Sequence, residues 1–118
     1  MHSIKIETSF SAAHNLRQYK GKCEALHGHN WKIEVVLASE TLDKGGMVMD
    51  FHDVKKVVAA ALAPFDHAYL NKLPYFKKVN PTSEHISAYI YRYLKKTLPQ
   101  LASVTVWENA TCSVTYEE

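Results

Sequence analysis

The sequence predicts an α+β domain in which two helices are layered on one face of a four-stranded antiparallel sheet. Three observations point there. Apolar residues alternate with period two toward both ends of the chain. In two central segments they recur at helical spacing instead. The resulting order is strand, strand, helix, helix, strand, strand. Each helix then has one apolar stripe to bury and the sheet one apolar face to offer, so helices stacked on that face are the economical packing. With 118 residues, 47% of them apolar and 22% charged, one globular domain over residues 1–118 is expected.

Ile4, Ile6, Thr8, Phe10 and Ala12 alternate with polar neighbours and mark the first strand. Residues 15–21 are polar and read as a loop. The second strand runs from about 27 to 39, with Trp31, Ile33, Val35 and Leu37 on one face. Asp43-Lys44-Gly45-Gly46 is a turn, and residues 47–51 form a short extended piece. The first helix buries Val54, Val57, Val58, Ala61 and Leu62, is capped by Asp50 or Asp53, and stops at Pro64. The second opens at Asn80-Pro81 with proline in its first position. Ile86, Tyr89, Ile90, Tyr93 and Leu94 form its stripe, and Pro99 closes it. The last strands are 104–108 and 112–116.

Val36, Ala38, Thr105, Trp107 and Thr115 fall on the faces turned away from the helices. Such residues, with open strand edges, predict sheets joined between subunits of a homo-oligomer. A net charge of +2 is too mild to argue for nucleic acid or membrane as a partner. No apolar run approaches the ~20 residues of a membrane helix. The chain alternates from Ile4 onward, so no signal peptide is expected. A cytoplasmic protein with Cys23 and Cys112 reduced follows, Cys112 serving as a small core residue.

The residues with chemistry to offer begin with Cys23-Glu24-Ala25-Leu26-His27-Gly28-His29. In a strand, side chains two apart point the same way, so His27 and His29 share the face of Trp31 and Ile33. The even parity of the first strand carries on to His14. Three neutral imidazoles with an open fourth position are the arrangement of a catalytic zinc site. Cys23 is then either a fourth ligand closing a structural site, or a free thiolate acting as base or nucleophile. Spacing alone favours neither.

Asp66-His67 places a carboxylate beside an imidazole, which suits proton transfer near neutral pH. As a helix-exit loop it is equally well read as solvated charge. Glu108 stands at the end of the apolar row Val104 and Val106. A buried carboxylate is costly without donors, so it belongs at a pocket mouth or against a ligand's N–H groups, unless the strand has frayed there. Arg17, Lys20 and Lys22 would attract an anionic group such as phosphate, or be solvated.

Cys23-x-x-x-His27-Gly28-His29-Asn30 resembles the signature of the 6-pyruvoyl-tetrahydropterin synthase family, and more closely its bacterial branch, the 6-carboxytetrahydropterin synthases. Phe10-Ser11-Ala12-Ala13-His14, Gly46-Met47-Val48-Met49-Asp50-Phe51, Asp66-His67-Ala68-Tyr69-Leu70-Asn71, Pro81-Thr82-Ser83-Glu84 and Val104-Thr105-Val106-Trp107-Glu108 extend the resemblance over essentially the whole chain. It implies the tunnelling fold, with sheets joined into a barrel in a homo-hexamer built as a dimer of trimers. It implies Zn2+ on His14, His27 and His29, and Cys23 as the proton-abstracting base with Asp66 and His67 as relay. Glu108 would anchor a pterin, with Thr82 near the same pocket. The implied substrate is 7,8-dihydroneopterin triphosphate, and the product of this branch feeds queuosine synthesis. The pyruvoyl branch, or another pterin side-chain enzyme, is the alternative; a small zinc-stapled interaction module is the distant one. Asn109 departs from the threonine that the resemblance implies after the glutamate.

Overall fold

A computed structural model describes residues 1–118. The long strands β1 (His2–His14) and β2 (His27–Ser39) form the spine of the sheet. Helix α1 (Phe51–Leu62) follows, then the two-residue strand β3 (Ala68–Tyr69), helix α2 (Ser83–Lys95), and strands β4 (Leu101–Asn109) and β5 (Cys112–Tyr116). Three short 3-10 turns occupy the connection between α1 and α2. The strand order is β3-β1-β2-β4-β5. The four long pairing partners run antiparallel, and β3 joins β1 in parallel at Ala12 and Ala13. The expected α+β layering therefore holds, with one strand more than predicted. That strand lies in a stretch with no apolar period, so no pattern announces it.

The helices cover one sheet face. Trp31, Ile33, Val35 and Leu37 on β2 are fully buried, as are Val104 and Val106 on β4. Ile6 and Phe10 on β1 join them, with Val54, Val58 and Leu62 from α1 and Ile86, Ile90 and Leu94 from α2. These belong to one apolar cluster of 22 residues, the main stabilising feature of the fold. Neither helix is long and apolar enough to cross a membrane.

Several local expectations change. Residues 47–50 do not form a strand, because the Asp43 carboxylate accepts the N–H groups of Gly45 and Met47 and curls the chain. Asp50 caps α1 by accepting the His52 N–H at 2.8 Å. Pro81 stands outside α2: the Thr82 hydroxyl accepts the His85 N–H at 3.1 Å and is the cap. The buried side of α2 is rotated toward Ser87 and Tyr91, and Tyr93 is exposed. Tyr91 meets Tyr116 of β5 edge-on, which fixes that rotation. Cys112 is exposed at the first position of β5 rather than in the core. On the outer sheet face, the Thr105 and Thr115 hydroxyls bond each other at 2.7 Å, and Lys32 lies over the Trp107 ring.

Ile33 is fully buried within this row, between Thr8 of β1 and Val106 of β4, and truncating it leaves a cavity in the core. Ile33→Ala should lower the unfolding free energy by about 2–5 kcal/mol in a denaturant titration. Lys56→Ala, on the exposed side of α1, should move it by less than about 0.5 kcal/mol.

Candidate active site

The β1–β2 ladder sets His14 directly opposite His27 and Ala12 opposite His29. All three imidazoles therefore emerge on the core face at the end of the ladder, beyond Trp31. Their ring centroids are 4.6 Å apart for His14–His27, 4.8 Å for His27–His29 and 5.3 Å for His14–His29. Trp31 packs edge-on against His14 and His29 from below and donates its indole N–H to the Ala12 carbonyl. The floor of the site is thus part of the core.

Backbone carbonyls orient two of the rings. His14 Nδ1 lies 2.8 Å from the Pro81 carbonyl, and His27 Nδ1 lies 2.9 Å from the Ala25 carbonyl. A carbonyl only accepts, so each Nδ1 carries the proton and each Nε2 presents a lone pair. Burial depresses the His14 pKa; the Pro81 hydrogen bond acts against this, while His27 and His29 reinforce it. His14 Nε2 and His29 Nε2 are buried without a hydrogen-bond partner. Buried polar atoms left this way are uncommon and costly.

Glu108 enters from β4. It continues the core-facing row of Val104 and Val106, and the β4–β5 pairing shifts register beside it, between Trp107 and Asn109. Its Oε1 lies 3.1 Å from His29 Nε2 and 3.5 Å from His14 Nε2. The ligand atoms of His14, His27, His29 and Glu108 all fall within 4.8 Å of one another. Convergent lone pairs and a carboxylate, with orphaned nitrogens between them, fit a divalent metal ion. Sequence parity anticipates the three histidines. It does not reveal the Pro81 and Ala25 carbonyls, nor how closely Glu108 approaches the imidazoles, because those depend on how separate elements pack together.

Asp66 and His67 lie just before β3, against Ser11 of β1. The Ser11 backbone N–H donates to Asp66 Oδ1 at 3.0 Å, and His67 Nδ1 is 3.2 Å from Asp66 Oδ2. The Ser11 hydrogen bond is the main cause holding the Asp66 carboxyl below the usual carboxylate range, with the neighbouring His67 adding to it. His67 takes a left-handed backbone with φ +57°, and its side chain is 83% exposed. It borders an open depression of about 430 Å³ shared with Ser11, Gly28, His29 and Asn30.

Cys23 is free and exposed on the loop between β1 and β2, and bonds to neither Asp66 nor His67. That loop is strapped down by a set of polar side chains. Asn15 and Asn71 exchange hydrogen bonds, Glu24 accepts the Leu16 N–H, and the Tyr69 hydroxyl donates to Asn15. The Arg17 guanidinium donates to the carbonyls of Asn71, Phe76 and Val79, which ties it to the fold. Lys20 and Lys22 remain exposed. Thr82 spends its hydroxyl on the helix cap, one residue beyond the carbonyl that orients His14.

Residues 3–118 match the family model described as 6-pyruvoyl tetrahydropterin synthase. A 6-carboxy-5,6,7,8-tetrahydropterin synthase of Synechocystis is 41% identical, over 93% of this chain and 88% of its own length. A dihydroneopterin monophosphate aldolase of Pyrococcus furiosus is 38% identical, over 97% of this chain and 96% of its own. Among solved structures, the 6-pyruvoyl tetrahydropterin synthase of Caenorhabditis elegans superposes with a TM-score of 0.88 at 29% identity, over 99% of this chain and 95% of that one. With the match spanning nearly the whole chain, the protein is an enzyme of the 6-pyruvoyl tetrahydropterin synthase family, pterin-forming lyases that act on a small-molecule substrate.

Proposed function

We propose that this chain is a zinc-dependent 6-carboxy-5,6,7,8-tetrahydropterin synthase. It converts 7,8-dihydroneopterin triphosphate to 6-carboxytetrahydropterin with release of acetaldehyde and triphosphate, a step toward 7-deazaguanines and queuosine. The observation that carries the metal reading is the pair of buried, unpartnered Nε2 atoms of His14 and His29 beside that of His27. The carboxy product is favoured by the Synechocystis relative and by the three-residue spacing between Cys23 and His27.

His14, His27 and His29 would hold the Zn2+, which would supply Lewis acidity toward the side-chain hydroxyls of the substrate. Trp31 keeps the rings upright and water out from beneath. Glu108 accepts from the N–H and amino groups of the pterin ring. Cys23, as thiolate, withdraws a proton from the substrate side chain. His67 passes protons onward, its ring held by the Asp66 carboxylate, which stays ionised through its Ser11 hydrogen bond. Thr82 sits near the same pocket through the Pro81 link. Cys23 and His67 both face outward within one chain. The assembly that would join them is a homo-hexamer of single-domain subunits, in which Cys23 of one subunit works with Asp66 and His67 of another.

Cys23→Ala should keep about one Zn2+ per chain and an unchanged thermal midpoint while losing turnover by at least ~100-fold. Loss of zinc with unfolding would instead make Cys23 a structural ligand. Incubation with dihydroneopterin triphosphate should yield acetaldehyde and the carboxy-pterin by mass. A pyruvoyl product, or an aldehyde other than acetaldehyde, would reassign the reaction to another member of the family. Inactive Cys23→Ala and His67→Ala chains, dissociated and reassembled together, should regain a fraction of wild-type turnover, since mixed interfaces restore some complete sites. No recovery would place both residues in one subunit's site.

A further inference from the structure

We infer, given the role proposed for Cys23, that Asn15 is a positioning residue for the reaction. It fixes the segment that carries Cys23 against the end of the strand that carries His14. Asn15 follows His14 directly, and each kind of polar group it owns has a partner. Its backbone N–H donates to Asn71 Oδ1 at 3.1 Å, and its carbonyl accepts from Asn71 Nδ2 at 2.8 Å. Its side-chain amino group donates to the Glu24 carbonyl at 3.1 Å, and its side-chain oxygen accepts the Tyr69 hydroxyl at 2.7 Å.

These bonds join two parts of the site. Asn71 is 7% exposed, so its exchange with the Asn15 backbone is made away from competing water. It pins β1 just beyond the last ladder pair, His14 with His27. The bond to Glu24 then reaches the residue after Cys23, one Cα step of about 3.8 Å from it. Leu16 completes the clamp: its carbonyl accepts the Glu24 N–H at 2.8 Å, and its own N–H donates to Glu24 Oε1 at 3.1 Å. A carbonyl only accepts, so Asn15 Nδ2 must face Glu24, and the Tyr69 hydroxyl holds the amide that way round by donating to Oδ1.

Packing gives Cys23 little support. Tyr19 and Leu26 on either side of it are exposed, and so is Cys23 itself. On its N-terminal side the chain turns tightly, with the Lys22 N–H on the Tyr19 carbonyl and both Lys20 and Gly21 in the left-handed region. The thiol therefore hangs between a tight turn and the Glu24 clamp, and the clamp is what refers it to His14. A base that must reach a substrate proton tolerates little displacement, since a shift of about 1 Å can cost on the order of 100-fold in rate.

The test reads position and turnover separately. In a Cys112→Ser background, a nitroxide on Cys23 reports its mobility by electron paramagnetic resonance, and the unlabelled chain is assayed with dihydroneopterin triphosphate. Asn15→Asp keeps the shape and the Tyr69 bond but sets an acceptor in place of the donor to Glu24. It should lower kcat at least ~10-fold with KM changed less than ~3-fold, and make the nitroxide more mobile, in a folded chain of wild-type metal content. Tyr69→Phe, which frees the Asn15 amide to turn, should have the same effects to a smaller extent. Wild-type kcat, or an unchanged nitroxide spectrum, in both variants would overturn the positioning role. A fall in kcat that only follows lost metal or unfolding would overturn it too and leave Asn15 a structural residue. A wild-type chain without turnover on this substrate would overturn the functional reading instead, and the nitroxide spectra would still decide whether Asn15 holds Cys23.

Discussion

The site depends on the unbroken antiparallel register of β1 and β2, which pairs His2 with Ser39 at one end and His14 with His27 at the other. Side chains in a strand alternate, so a slip of one residue would send all the imidazoles of one strand to the opposite face. What prevents the slip is distant from the chemistry. Ile6 and Phe10 on β1, with Trp31, Ile33, Val35 and Leu37 on β2, are buried against the helices. Moving that row into water would forfeit about 1.5–3 kcal/mol for each large apolar side chain. The apolar core thus enforces, at no separate cost, the alignment of three polar groups at the end of the same ladder.

A second constraint converts alignment into orientation. The capped start of α2 leaves the Pro81 carbonyl to receive His14 Nδ1–H, and the turn before β2 supplies the Ala25 carbonyl to His27. Hydrogen bonds of this kind fix which nitrogen is bare and hold the ring plane, so little reorganisation remains when a metal arrives. The loop that carries Cys23 is held by the Asn15–Asn71 exchange and by Arg17 bonded to three carbonyls. These bonds connect it to the stretch between Asn71 and Val79, the same connection that begins with Asp66 and His67. Both halves of the proposed proton relay therefore hang from one polar framework, although their side chains do not meet within the chain.

Much of this was legible from period alone. The bounds of β2, the burial of its odd residues and the common face of His14, His27 and His29 follow from alternation without a bulge, and β1–β2 has none. The misplacements share a physical cause. Pro81 suits the first turn of a helix by propensity, yet the Thr82 hydroxyl wins the cap because it satisfies a free N–H that proline cannot. Tyr93 fits the helical stripe, but α2 leans over β4 and β5, so Tyr91 is buried in its place. Arg17 reads as free charge until three carbonyls converge on it. Capping competition, helix rotation and long-range hydrogen bonds are decided by the assembled fold, not by local pattern.

Glu108 brings these threads together. A carboxylate facing the bare Nε2 of buried His14 is a poor arrangement for an empty protein, since desolvation and repulsion both work against it. It suits a site able to take up a cation, which the convergence of the four ligand atoms allows. The same β4 row that supplies Val104 and Val106 to the core delivers this residue at its open end. Local frustration is tolerated because the β1–β2 ladder and the cluster of 22 buried residues do not depend on it. Stability is concentrated at one end of the sheet's apolar face and reactivity at the other, and Trp31, touching His14 and His29 above and Phe10 below, is where the two meet.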